Sequence, residues 1–514
     1  MSLSRQQDNA HLMSTAVFRD PAYNIRKEVQ DALILDMKHG FDEEKMTKVQ
    51  QLSLSYATRP ENYSIRVQAQ SGSGKTIAFI LAVLHKVDEK VTGPDSLQAI
   101  VCGHNRELVS QILSEIMKVS ARIVDAAGNP ALRIEVLEKD REPAAGMCQS
   151  HVLIATPAMV GKYSKKQVAS RFSKGREAYF GLEKIKVFVV DEADEQVVRT
   201  DSRDETNTLL QVMTRLPTTC QVLLFSATYP EESVPLCEKA FHGRVKVDVT
   251  ISKDTSHLRE ILHLMVDASK LEMNPTNIAA LQAYKDARGP DGRPDPIGRN
   301  DDERKKLLVL ERMLKRINMN KCIIFATQRE TCFYIKDVAA RMPAKIDIEV
   351  LTGAGKNNHH GPQASGKEAS GMTDRERDVV VNKFRTEPEC KFLAATNVIA
   401  RGLDVPQVSA VVNFELPEEF VSRDTRGPRL GDYKTYVHRV GRTGRIGAKG
   451  AAINIVSGPE QEAMLRKISK DAFDKDVVED FSPNDIEGIA EKVREHTFGG
   501  GSSSSSGGGK AGNA

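Results

Sequence analysis

The octapeptide AQSGSGKT, residues 69–76, packs two glycines, a lysine and a threonine into five consecutive positions. Gly72 and Gly74 let the backbone curl until its N–H groups face a phosphate, with Ser71 and Ser73 completing the loop. Lys75 can then reach the β- and γ-phosphates, and Thr76 offers a hydroxyl to Mg²⁺. Ala69 stands where the general GxxxxGK[ST] pattern has its first glycine. Further on, VVDEAD (189–194) places two adjacent carboxylates after an apolar run. Asp191 suits a metal, directly or through water, and Glu192 suits orienting and deprotonating an attacking water. SAT (226–228) follows another apolar run, and VHRVGRTGRIG (437–447) spaces His438, Arg439, Arg442 and Arg445 between glycines. Taken singly, the acidic stretch reads as an exposed turn and the Arg/Gly stretch as a solvated loop or loose nucleic-acid patch.

The segments that must position these residues follow one pattern. In the first half IRVQA (65–69), QAIVCG (98–103), HVLIAT (151–156), KVFVVDE (186–192) and QVLLFSAT (221–228) read as buried parallel strands. In the second half LHLMV (262–266), CIIFAT (322–327), DIEVLTG (347–353), KFLAAT (391–396), SAVVNF (409–414) and GAAINIV (450–456) read the same way. Helical stretches lie between them, so each half is expected to be an α/β doubly wound sheet. The expected organisation is an N-terminal extension (1–21), a first domain (22–250), a linker (251–260), a second domain (261–496) and a Gly/Ser tail (497–514). Stretches near 270–301, 353–371 and 421–434 read as insertions rich in Gly, Pro and charge. His359 and His360, inside the second of these, have no Cys or carboxylate at ligand spacing and read as part of a solvated loop.

Composition narrows the class. At 514 residues, 40% hydrophobic and 28% charged, the chain has room for two or three domains. Its 73 basic and 70 acidic residues leave a net charge of +3, so nucleic-acid binding would come from a local patch. Seven scattered cysteines without a C-x-x-C pair suit free thiols in a reducing compartment. The apolar runs are too short to span a bilayer and the N-terminus lacks a signal core, so a soluble protein of cytoplasm and nucleus is expected.

With AQSGSGKT, VDEAD, SAT, ARGLD (400–404) and HRVGRTGR (438–445) in that order, the chain resembles DEAD-box RNA helicases over roughly residues 20–495. The resemblance implies two RecA-like domains with ATP and Mg²⁺ in the cleft between them and RNA across both. It implies that Arg442 and Arg445 are arginine fingers directed at the γ-phosphate that Lys75 holds. Ser226, Thr228 and His438 would couple domain closure to chemistry. Gln50, in KMTKVQQ, matches the glutamine that reads adenine, although Met46 replaces the usual proline. Phe41 matches an aromatic that stacks on the base, a core role being the alternative. Gly402 would lie near the phosphates, Asp404 near the ribose or attacking water, and Arg401 at interdomain contacts.

For RNA the resemblance implies backbone contacts from Arg106 in NREL, Thr156 in ATPAMV, Arg377 in DRER and Thr396 in AATN, with Asp374 replacing the glutamine of the QxxR element. Contacts to phosphate and sugar give sequence-independent grip. Among subfamilies, ATNVIARGLDVPQVSAVVNFELP (395–417) is most similar to the DEAD-box ATPase of nuclear mRNA export. That implies nuclear-pore export factors as partners, the cytoplasmic face of the pore as one location, and a monomer. The expected function is an RNA-dependent ATPase that locally unwinds RNA or remodels ribonucleoprotein. Two alternatives stand beside it: an ATP-gated RNA clamp with little turnover, and a DNA-directed helicase.

Overall fold

The computed structural model describes residues 13–37, 44–69, 72–137, 143, 147–164, 178–198, 203–229, 233–251, 261–287, 299–317, 320–341, 346–353, 372–397, 408–418, 431–444 and 449–498. They fall into two compact units that divide between Thr255 and Ser256.

The first unit opens with a small antiparallel pair, β1 (Met13–Val17) and β2 (Lys45–Thr47). Its main sheet contains β3 (Ser64–Gln68), β4 (Ala99–Cys102), β5 (Ile134–Leu137), β6 (Val152–Ala155), β7 (Val187–Asp191), β8 (Gln221–Ser226) and β9 (Lys246–Thr250). All neighbours pair in parallel, in the order β5-β6-β4-β7-β8-β3-β9. The near-continuous apolar runs of β4, β6, β7 and β8 are buried at every position, as strands covered on both faces must be.

The second unit contains β10 (Leu262–Asp267), β11 (Cys322–Ala326), β12 (Ile348–Leu351), β13 (Phe392–Thr396), β14 (Ala410–Asn413), β15 (Ala451–Val456) and β16 (Glu479–Phe481). Their order is β12-β13-β11-β14-β15-β10-β16, again all parallel. Renumbered from its first strand, this is the order of the first unit. The expected strands all form. The additions β5, β9 and β16 are edge strands of mixed polarity, IEVL, KVDVT and EDF, whose partial exposure leaves no continuous apolar run to read.

Two expectations need correction. Residues 13–21 are not an extension: β1 pairs with β2, and Phe18 is fully buried in the first unit's core. The stretch 270–301 is only partly irregular, because Pro275–Lys285 is a helix. Asn274 caps it by accepting the Asn277 N–H at 2.9 Å, and Pro275 supplies the fixed φ of a first helical position. Residues 354–371, 419–430 and 499–514 lie outside the described residues, as do 252–260.

Candidate nucleotide and nucleic-acid site

The order β7-β8-β3 is what assembles the first three motifs. Each ends a strand, and the three carboxyl ends are adjacent, the edge at which open α/β sheets hold ligands. The Ala69 N–H donates to the Ser226 carbonyl at 3.0 Å, joining the start of the phosphate loop to the SAT strand.

Gly72 and Gly74 have φ of +79° and +94°, the left-handed region that favours glycine. Gly74 is the N-cap of the helix Lys75–Lys86, so the loop feeds a helix N-terminus whose dipole favours anions. A Cβ on Gly74 would come within 2.6 Å of Gln50 Nε2. Gln50 is fully buried at the third position of the helix Lys48–Ala57. Its Oε1 accepts the Thr47 N–H at 2.8 Å, and its Nε2 donates to the Gly74 carbonyl at 3.5 Å. The carboxamide that the resemblance assigns to adenine is here bonded to the protein on both sides, bracing the phosphate loop. Lys75 Nζ donates to the Ala69 carbonyl at 2.5 Å, folding back across the loop it must leave to meet a phosphate.

At the end of β7, Asp191 is 5% exposed and its carboxyl is pushed up to about 7. Burial is the main cause and the neighbouring Glu192 the second, with Lys75 opposing both. Glu192 has φ +53°, a conformation costing a non-glycine residue about 1–2 kcal/mol. Its own N–H donates to Asp191 Oδ1 at 3.0 Å. Glu192 directly follows the last residue of the central strand β7, so this strain sits at the edge where open α/β sheets hold ligands. Asp191 and the Thr76 hydroxyl are hard oxygen donors of the type Mg²⁺ takes alongside nucleotide phosphates.

Arg106 opens the helix Arg106–Val119 after β4, and Thr156 precedes the helix Pro157–Tyr163 after β6. These adjacent strands bring both residues to one sheet edge. Asn105, which replaces the usual threonine, caps the first helix by accepting the Leu108 N–H at 2.8 Å.

In the second unit Thr396 ends β13 and Arg377 lies in the helix Asp374–Thr386; both are buried, at 5% and 8% exposure. The helix Tyr433–Val440 carries His438, and the turn after it carries Arg442, 5% exposed, whose Nε donates to the His438 carbonyl at 3.2 Å. Phe41, Ser71, Arg401, Gly402, Asp404 and Arg445 lie outside the described residues.

The DEAD/DEAH box helicase family matches residues 47–235, and the helicase conserved C-terminal domain matches residues 305–447, together more than half of the chain. The chain belongs to the DEAD/DEAH box helicases. The ATP-dependent RNA helicase DBP5 of Coccidioides immitis is 27% identical over 482 residues, covering 93% of this helicase and 81% of the relative. A solved structure of S. cerevisiae Dbp5 bound to RNA and ADP BeF3 matches with TM-score 0.69 and 24% identity, over 92% of this helicase and 98% of that chain. A variant of S. cerevisiae Dbp5 bound to Nup159, Gle1, IP6 and ADP matches with TM-score 0.55 and 23% identity, over 92% and 99%. These two structures share the helicase's fold.

Three residues of the helicase escape a reading of motifs in sequence. Asp194, the last letter of DEAD, is buried and accepts from the Ser226 hydroxyl and the Thr228 hydroxyl, both at 2.5 Å. It is the physical link between VDEAD and SAT. Gln196 donates to the carbonyls of Asp191 at 2.5 Å and Cys102 at 3.2 Å, fixing the end of β7 against β4. Arg439 is fully buried in the second unit, stacked over Phe325 at 5.2 Å. It donates to Asn397 Oδ1 at 2.8 Å, Asn413 Oδ1 at 3.0 Å and the Glu415 carbonyl at 2.6 Å. Of the three arginines in HRVGRTGR, this one ties the helix to the ends of β13 and β14. No spacing in the sequence pairs Arg439 with Asn397, Asn413 or Glu415; the convergence needs the sheet order.

Arg439→Met is expected to destabilise the second unit by about 2–3 kcal/mol, because one buried and two partly buried oxygens lose their donor. Denaturant unfolding of the full chain should show this as an earlier transition for the second unit. An unchanged midpoint would remove Arg439 from that role.

Proposed function

We propose that this helicase is an RNA-dependent ATPase that locally unwinds RNA or remodels ribonucleoprotein by ATP-driven closure of its two units. The observation that carries the reading is the convergence of the Lys75 loop, Asp191, Glu192 and the Asp194–Ser226–Thr228 contact on three adjacent strand ends. A nucleotide would enter with its phosphates on the loop N–H groups and Lys75 released from Ala69 to meet them. Asp191 and Thr76 would hold Mg²⁺, which when bound neutralises phosphate charge and polarises the γ-phosphoryl group. Glu192 would accept a proton from the attacking water. Gln50 braces the loop through Gly74, so a nucleotide that draws on its amide would also loosen that brace.

The arginines of the second unit would complete the site only when the units close, which makes hydrolysis conditional on closure. Asp194 would pass the state of the metal carboxylate to Ser226 and Thr228. RNA held by Arg106 and Thr156 on one unit, and Thr396 and Arg377 on the other, would favour the closed state by its differential affinity for it. A role in mRNA export, with nuclear-pore factors as partners at the cytoplasmic face of the pore, is supported by likeness to proteins named Dbp5 and by one such structure holding Nup159 and Gle1.

The deciding experiment is steady-state ATP hydrolysis at low salt, with saturating single-stranded RNA, with DNA of equal length, and with neither. Strong stimulation by RNA alone is expected, since 2′-OH contacts separate the two polymers. Equal stimulation by DNA would replace this reading with a DNA-directed helicase. ATP and RNA binding without turnover would replace it with a clamp.

A further inference from the structure

The second unit holds a cavity of about 350 Å³ at the carboxyl ends of β11, β14 and β15, beside the first turn of the helix Asp301–Arg316. Because the two sheets share one strand order, β14 and β15 stand where β7 and β8 stand in the first unit. The cavity therefore lies at the ends corresponding to β4, β7 and β8, next to and not on the counterpart of the phosphate-loop strand, which is β10. Its chemistry is different.

Lys306 lines the cavity and is only 6% exposed. Among the described residues its ammonium has the Phe414 ring at 5.2 Å and Gln461 Oε1 at 3.5 Å, the latter at the limit of a hydrogen bond. An ammonium has three N–H donors, so a buried one in this setting lacks acceptors. Gln461 Oε1 is already engaged by the Ser457 N–H at 3.0 Å. That leaves the Gln461 amide nitrogen and the Ser457 hydroxyl as further donors lining the same space.

The carboxylates in the wall are consumed elsewhere. Glu303 takes Arg299 at 3.0 Å, and Glu415 takes Arg299 at 3.1 Å, the Thr327 N–H at 2.6 Å and the Thr331 hydroxyl at 3.1 Å. Asp302, on the same first turn, is exposed and lines the cavity toward solvent. The cavity thus offers donors inside and negative charge outside. A polyphosphate or a nucleic-acid backbone would meet the acidic first turn Asp301–Glu303 unfavourably. A single carboxylate beside a cation fits both layers.

We propose that this cavity receives a carboxylate side chain of a partner polypeptide on Lys306, Gln461 and Ser457, with an adjacent arginine or lysine of that partner against Asp302. Phe414 and Met464 supply the apolar wall for the stem of the inserted side chain. Burial lowers the Lys306 ammonium to about 8, against the opposing pull of Glu415, Glu303, Asp302 and Glu418. A carboxylate arriving at the ammonium offsets that loss of solvation.

Met464, 8% exposed on the cavity wall, gives the readout. The full chain, with isotope-labelled methionine methyls and the Met464 signal assigned through Met464→Leu, is titrated with N-acetyl-glutamyl-arginine amide at millimolar concentration. The Met464 methyl is expected to shift and saturate. The glutaminyl-arginine and glutamyl-glutamine peptides should bind about tenfold more weakly or worse. Lys306→Met should abolish the shift. Gln461→Glu should abolish it too, while keeping the fold, because it places a carboxylate on Lys306 from within. Affinity should also fall about tenfold per pH unit above 8, where the ammonium loses its proton. A silent Met464, or an equal response to the glutaminyl peptide, would overturn the proposal. A stronger response to inorganic phosphate or to an RNA oligonucleotide would overturn it in favour of an anion site. The readout is binding to the second unit, so its failure is separate from any failure of ATP hydrolysis.

Discussion

Arg445→Ala is expected to lower RNA-stimulated ATP turnover by roughly 10³-fold or more, with nucleotide affinity changed far less. An arginine finger meets charge that develops only as the γ-phosphoryl group transfers, so its loss falls on the transition state. The described residues that precede Arg445 in the chain are held by several contacts. Arg439 anchors the helix Tyr433–Val440 through Asn397, Asn413 and the Glu415 carbonyl. Arg442 is held by the His438 carbonyl, and Gly444 turns the chain with φ +60° just before Arg445. Thr443 donates to the Val408 carbonyl at 2.8 Å, and Gly450 is obligatory because a Cβ there would come within 2.3 Å of Thr443 Oγ1. Single-turnover hydrolysis with pre-bound ATP and RNA separates the chemical step from binding. A rate within a few fold of wild type would remove Arg445 from the catalytic role.

Glu192→Gln is expected to leave ATP and RNA binding nearly intact and to lower turnover by about 10²–10⁴-fold, the range of a lost general base. The substitution keeps the shape of the side chain and removes its ability to take a proton. Glu192 already occupies a left-handed backbone conformation, and its N–H braces Asp191. The substitution leaves that backbone hydrogen bond in place and changes only the side-chain group that would take the proton. The variant should accumulate as a closed complex with ATP and RNA, visible as slow RNA release. Rapid release together with normal turnover would place the base elsewhere.

The two proposed roles fall on different units, and the two outcomes separate them. Loss of Arg445 without effect, with Glu192→Gln inactive, would leave a one-domain ATPase. The reverse outcome would leave closure intact and move the proton acceptor to another group.

Much of this was legible in the residues. GSGKT between a strand and a helix, and carboxylates at the end of an apolar run, restrict the chemistry through the conformations and charges they permit. Parallel strands announced themselves because burial on both faces demands unbroken apolar runs. Edge strands did not, because one exposed side admits polar residues, as in KVDVT and EDF. Phe18 likewise gave no sign that residues 13–21 belong to the first unit, since a single aromatic in a polar stretch has no periodicity to read.

What only the tertiary structure decided is which distant residues meet. The motifs at 69–76, 189–194 and 226–228 converge because β7, β8 and β3 are neighbours, an order fixed by long-range pairing rather than by any local preference. The same dependence explains Asp194 holding Ser226 and Thr228, Arg439 binding the ends of two other strands, and Gln50 spending its amide on Gly74. The shared RecA-like class was implied by the motifs, but the strand order that both units adopt is set by long-range pairing, while the side chains that carry chemistry differ between them. Residue type sets what a group can do; the sheet order sets what it does it to.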